Sequence, residues 1–131
     1  MRVLLDTHVL LWWFADDRKL SRSAREIITS PNNEIYVSAV TVWEVAIKAA
    51  LGRIEVEIDD LEAAIPANGF QSLAIGMRHA ATVGKLPPVH RDPFDRMLVA
   101  QAFVEELRVM THDRVFERYG LRADGLPPIL V

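Results

Sequence analysis

The chain has 131 residues, no cysteine, and 15 basic against 18 acidic side chains, for a net charge of -3. Half of its residues are hydrophobic and a quarter are charged, the balance of a soluble globular protein; the length suits a single domain spanning residues 1–131. Disorder, collagen-like repeats and disulfide scaffolds are excluded, as are thiol catalysis and cysteine-held zinc or iron–sulfur centres, and the mild acidity weighs against a protein that coats nucleic acid non-specifically.

Arg2 to Leu5 is a short apolar run ending in a polar break, which predicts a buried strand. Val9 to Phe14 is apolar and fits either a helix or a strand. Its length is far below the ~20 residues of a membrane-spanning helix. Asp6 and His8 break the uninterrupted apolar stretch of a signal peptide, so a cytoplasmic location with no membrane association is expected. Ser21 or Ser23 caps a short helix through Ile28, with Ser23 and Glu26 in capping-box spacing. Ser30 to Asn33 has turn composition. Ile35 to Val37 predicts a second strand, and Ala39 to Leu51 a helix closed by Gly52.

Asp59 starts a further helix that ends near Asn68-Gly69. Phe70 to Ile75 predicts a third strand and Met77 to Val83 a helix closed by Gly84. Leu86 to His90 is a loop. Asp92-Pro93 is a strong helix start, since aspartate caps well and proline fits the first helical position; that helix runs to about Glu106. Leu107 to Met110 predicts a fourth strand, Asp113 to Arg118 a short helix, and Pro128 to Val131 a last strand. Strands alternating with helices imply a mainly parallel sheet covered on both faces, an α/β fold built as a three-layer α/β/α sandwich.

In open parallel sheets ligands bind beyond the carboxyl ends of the strands. Asp6 directly follows strand one, Asp113 follows strand four, Glu44 lies in the helix after strand two, and Asp95 lies in the first turn of the helix before strand four. Each has an ordinary structural alternative. Glu44 stands four residues before Lys48, an ion-pair spacing, and three after Thr41. Thr41, Glu44 and Lys48 form the only polar stripe of an otherwise apolar helix, which faces either water or a polar site. Asp95 is favoured in a first turn by the helix dipole, although Asp92 already supplies the cap. Asp113 suits the cap of the short helix after strand four. Asp6 is the hardest to explain structurally, because a buried carboxylate needs a partner; His8 and a nearby arginine are candidates.

Four acids converging on one place raise one another's pKa unless a cation neutralises them. Mg²⁺ or Mn²⁺ is the natural cation for an all-oxygen site. The four histidines are irregularly spaced and form no zinc motif, and His79 reads as an ordinary helix histidine. Trp12, Trp13, Trp43, Phe14, Phe94 and Phe103 read as core or dimer contacts rather than base-stacking platforms. No glycine-rich phosphate loop follows strand one, and no Gly-x-Ser-x-Gly elbow occurs.

The segment Val3 to Trp12 resembles the opening of a PIN domain of the VapC-type toxin ribonucleases. Val37 to Ala46 resembles their second acidic motif, Leu86 to Ala102 the third and Val109 to Asp113 the fourth. The resemblance covers nearly the whole chain in order, and the His90-Arg-Asp-Pro-Phe-Asp-Arg96 run is its most specific part. It carries the family's four acids onto Asp6, Glu44, Asp95 and Asp113 as catalytic metal ligands.

What it implies is a Mg²⁺- or Mn²⁺-dependent endoribonuclease that cuts single-stranded or loop RNA, leaving a 5′-phosphate and a 3′-hydroxyl. It further implies a homodimer, and inhibition by a VapB-type antitoxin. Thr7 and Thr111 flank the acids as supporting hydroxyls. Arg91, Arg96 and Arg114 are the candidate contacts to RNA phosphates or antitoxin carboxylates, with a surface ion pair as the alternative for each. Two other classes remain open: a PIN-fold binding module without significant cleavage, and a Mg²⁺-dependent phosphatase. A haloacid-dehalogenase-like phosphatase would want an aspartate where His8 stands.

Overall fold

The computed structural model describes residues 1–120 and 127–131. In chain order the elements are β1 (Arg2–Leu5), α1 (Thr7–Phe14), α2 (Arg22–Thr29), β2 (Glu34–Ser38), α3 (Ala39–Ala50), α4 (Ile58–Ala67), β3 (Gln71–Leu73), α5 (Met77–Val83), α6 (Pro93–Glu105) and β4 (Arg108–Thr111). A 3₁₀ turn (Arg114–Phe116) leads into α7 (Glu117–Gly120), and β5 (Ile129–Leu130) follows. The five strands form one parallel sheet in the order β3-β2-β1-β4-β5.

β1 sits at the centre, which explains its unbroken apolar run: both faces of a parallel strand are covered by helices. Val3 and Leu5 point into one core with residues of α1, α2, α3 and α4, including Val9, Leu10, Ala24, Ile28, Val45, Leu61 and Ile65. Leu4 points into the other, with Leu98, Val99, Ala102, Phe116 and Tyr119 of α6 and the segment after β4. The predicted three layers are therefore present.

Caps set the element boundaries. The ambiguous Val9 to Phe14 run is helical because Asp6 caps α1, accepting the Val9 N–H at 2.9 Å. Ser21, not Ser23, caps α2 through the Ala24 N–H. Ser38 caps α3 through Val40 N–H, and Asp92 caps α6 through the Phe94 and Asp95 N–H groups. After α3, Gly52 takes φ of 71°, a left-handed turn that glycine adopts without Cβ strain. β3 is half as long as predicted. Its one neighbour, β2, offers Tyr36 to Ser38 for pairing and then becomes α3 at Ala39.

The chain leaves β1 for β2 and β3 on one side and returns through α5 and α6 to β4 on the other. The order thus reverses at β1 and β4, the place where open α/β sheets bind ligands. There the Asp6 N–H donates to the Met110 carbonyl at 3.0 Å, which sets the ends of the first and fourth strands side by side. Among the described residues no helix is long and apolar enough to cross a membrane.

Candidate active site

Asp6 is buried just past β1, and both carboxylate oxygens are occupied. One caps α1; the other accepts the Thr111 hydroxyl at 2.5 Å. The partners proposed from sequence are therefore corrected: Thr111 and the Val9 amide take the hydrogen-bonding role. His8 acts on Asp6 only through space. Burial pushes the Asp6 carboxyl upward, opposed by its two donors and then by His8, while Asp113 adds to the rise.

Glu44 is also buried. The Thr7 hydroxyl donates to one oxygen at 2.7 Å, and Lys48 Nζ donates to the other at 2.5 Å. The polar stripe of α3 thus faces inward, with Thr41 fully buried and its hydroxyl 3.5 Å from that of Thr7. The spacing to Lys48 is a real ion pair, but one made at the edge of a buried site rather than on a free surface.

Asp95 lies on the first turn of α6, its side chain 22% exposed. Burial, then the charges of Asp92, Asp6, Glu44 and Asp113, push its carboxyl up to about 7. That pattern places all four predicted acids, together with the capping Asp92, within electrostatic reach of one point. Asp113 is exposed and caps the 3₁₀ turn through the Val115 N–H at 3.0 Å, while its own N–H donates to Thr111 Oγ1. Thr111 therefore bridges the first and fourth acids.

Among the described residues, no three acidic or histidine side chains are already gathered as a cage for an ion: Lys48 holds Glu44, and helix N–H groups hold Asp6 and Asp113. The donor chemistry nonetheless fits a hard divalent cation. It consists of carboxylate oxygens alone, and the carboxyl driven up to about 7 by burial first, and then by its acidic neighbours, is one that a cation would return to the ionised form.

The arginines separate. Arg91 is exposed, next to Asp92 in the chain. Arg114 is exposed and forms a 3.7 Å ion pair with Glu117. Arg96 is a correction to the sequence reading. Its guanidinium donates to the Val83, Pro87 and His90 carbonyls and to the Tyr119 hydroxyl, so it clamps the loop between α5 and α6 instead of projecting toward a phosphate.

Sequence reasoning missed three further residues. His90 reaches Asp95 Oδ2 through Nε2 at 3.3 Å and the Tyr119 hydroxyl through Nδ1 at 2.7 Å. Gln101, fully buried, accepts the Ser38 hydroxyl and donates to the Ala74 carbonyl. The contacts of His90 with Tyr119 and of Gln101 with Ser38 and Ala74 join distant segments that no local pattern links, whereas His90 and Asp95 lie close together inside the third motif.

The family model for the PIN domain matches residues 3–121. Ribonuclease VapC22 of Mycobacterium tuberculosis (strain ATCC 25618 / H37Rv) is 34% identical over 123 residues, covering 86% of this chain and 87% of that protein. Two solved structures share the fold. VapBC2 from Rickettsia felis, bound to a promoter DNA fragment, matches with a TM-score of 0.67 at 14% identity, over 100% of this chain and 98% of that one. DNA-bound VapBC from Salmonella typhimurium also matches at 0.67, with 18% identity over 98% and 96%.

Proposed function

Because the chain belongs to the PIN-domain family, among the VapC-type ribonucleases, we propose that it is a metal-dependent endoribonuclease, the toxin of a type II toxin–antitoxin pair. The observation that carries this reading is the placement of the acids: Asp6 and Glu44 are buried, Thr111 joins Asp6 to the Asp113 backbone, and Asp95 stands close enough that burial, and then the charges of the other acids, push its carboxyl up to about 7. Carboxyls raised by burial and by one another are concentrated at functional sites.

Asp6, Glu44, Asp95 and Asp113 would hold Mg²⁺ or Mn²⁺, directly or through water. Bound there, the cation supplies an oriented water of lowered pKa and stabilises charge on a phosphoryl group. The chain's own residues keep the acids in place. Thr111 fixes Asp6 and Thr7 fixes Glu44, so neither buried carboxylate must reorganise far to meet a ligand. Lys48 balances Glu44 in the absence of a cation. Arg91 and Arg114, both exposed and adjacent in the chain to Asp92 and Asp113, suit the phosphates of RNA or the carboxylates of an inhibitor. Residues 1–131 act as one catalytic domain, in the cytoplasm, as a homodimer held in check by a VapB-type antitoxin. The Rickettsia felis and Salmonella typhimurium structures that share this fold are themselves named as VapBC assemblies.

The test is cleavage of a 5′-labelled single-stranded RNA by the purified protein with Mg²⁺ or Mn²⁺, repeated with chelator and with Asp6→Asn and Asp95→Asn. Asparagine keeps the helix cap that Asp6 supplies. Cleavage is expected to need the metal, to leave 3′-hydroxyl ends and to vanish in both variants while their circular dichroism stays native. Full metal-dependent activity in Asp95→Asn, or hydrolysis of a small phosphoester in preference to RNA, sinks the proposal.

A further inference from the structure

The loop before α6 holds an imidazole between two groups that each work in one direction. At one end is Arg96, which only donates: its Nη1 gives a hydrogen bond to the Tyr119 hydroxyl oxygen at 3.3 Å. That leaves the Tyr119 proton for His90 Nδ1, 2.7 Å away. At the other end is Asp95, whose ionised carboxylate only accepts, 3.3 Å from His90 Nε2. With Nδ1 accepting, the ring proton of neutral His90 sits on Nε2 and points at Asp95 Oδ2. The ring cannot easily turn: Phe116 and Tyr119 pack edge-on against it, with centroids 6.1 and 5.4 Å away, and Arg96 also binds the His90 carbonyl.

We propose that His90 is a positioning residue for Asp95, and that Tyr119, itself oriented by Arg96, fixes its Nε2–H tautomer. A carboxylate with one oxygen held by a donor presents the other in a defined direction, which is how outer partners orient metal-ligating side chains. Among the described residues Asp95 has no backbone or hydroxyl donor comparable with those on Asp6 and Glu44; the His90 ring supplies one. The inference rests on Asp95 belonging to the catalytic site, but its first readout does not depend on catalysis.

That readout is long-range ¹H–¹⁵N correlation of the histidine rings at pH 8.5, in metal-free and Mg²⁺-loaded protein. His90 is expected as the Nε2–H tautomer in both, and Tyr119→Phe is expected to release it to a mixture. The second readout compares His90→Gln with His90→Asn. Glutamine places an amide N–H about where Nε2–H lies, whereas asparagine reaches only as far as Nδ1. His90→Ala and His90→Asn are expected to weaken Mg²⁺ binding, measured by calorimetry, and RNA kcat by about 10–100-fold with KM little changed. His90→Gln is expected to restore most of both. An Nδ1–H tautomer in the wild type overturns the proposal. So do equal losses in His90→Gln and His90→Asn, or wild-type Mg²⁺ affinity in His90→Ala. If no variant, wild type included, cleaves RNA, the ribonuclease reading fails while tautomer and Mg²⁺ affinity still decide the role of His90.

Discussion

Asp95→Asn should make the metal-free protein more stable while abolishing its activity. The substitution keeps the shape of the side chain, and its carbonyl oxygen still accepts from His90, but it removes a charge that four other acids oppose. The carboxyl is raised from 3.8 to about 7, and at about 1.4 kcal/mol per unit the ionised form costs up to roughly 4 kcal/mol. The side chain keeps 22% of its exposure, so solvent screening brings a realistic figure to about 2 kcal/mol.

The folded-state pKa lies above the unfolded one, so the folded protein binds this proton more tightly. Its stabilising contribution is complete below pH 3.8 and is lost as the pH rises through about 7. The melting temperature of Asp95→Asn minus that of wild type, in chelator, should therefore grow from about 2 °C near pH 4.5 to about 8 °C at pH 8, taking roughly 4 °C per kcal/mol at this chain length. Adding Mg²⁺ at pH 8 should raise the wild type toward the variant, because the cation then neutralises what the mutation removed. Scanning fluorimetry across that pH range suffices. Parallel pH curves for the two proteins, or a variant less stable at pH 8, would refute the claim that the acids converge on Asp95.

Three further outcomes are expected. Thr111→Val removes a donor to buried Asp6 and the acceptor for the Asp113 N–H, so urea unfolding at pH 7.5 should show a loss of about 1–3 kcal/mol, with Thr111→Ser recovering most of it. Gln101→Leu takes away the acceptor of the buried Ser38 hydroxyl and should cost about 1–3 kcal/mol with an unchanged denaturant slope; a neutral result would mean that Ser38 does not depend on Gln101. Glu106 closes α6 at φ of 56°, a left-handed conformation that disfavours a side chain. Glu106→Gly should raise stability by about 0.5–1 kcal/mol, and a lower midpoint would show the glutamate side chain compensating for its own strain.

What the sequence makes legible is what short-range physics decides. Asp92 caps α6 through N–H groups two and three residues away, and Asp-Pro announces it directly. The central position of β1 shows in its three consecutive buried side chains. Asp6 carries an equally local signal, since it accepts the N–H three residues on, but the run after it fits either a helix or a strand and hides the cap. The length of β3 is not local at all: it depends on where β2 ends. Arg96 shows the same limit at the site. Its position beside an acid in sequence suggests a phosphate contact, whereas its four acceptors lie on α5, the following loop and α7, which only the folded chain brings together.

The net charge of -3 takes its meaning from that assembly. Setting aside Asp6, Glu44, Asp95 and Asp113 removes four negative charges and leaves the remainder at +1. The four acids assigned to the site thus outweigh the whole net negative charge, and they follow or flank the strands at the end of the sheet where strand order reverses. Two of the four acids are nearly dry. Carboxylates so placed lose hydration that only a strong counter-charge or good donors replace. Lys48 and three hydrogen-bond donors supply part of that replacement for Glu44 and Asp6. Asp95 is left the least compensated, with the histidine ring as its nearest donor. A protein selected for stability alone would put a neutral side chain there, so the charge at Asp95 opposes the fold at a residue on which the proposed chemistry depends.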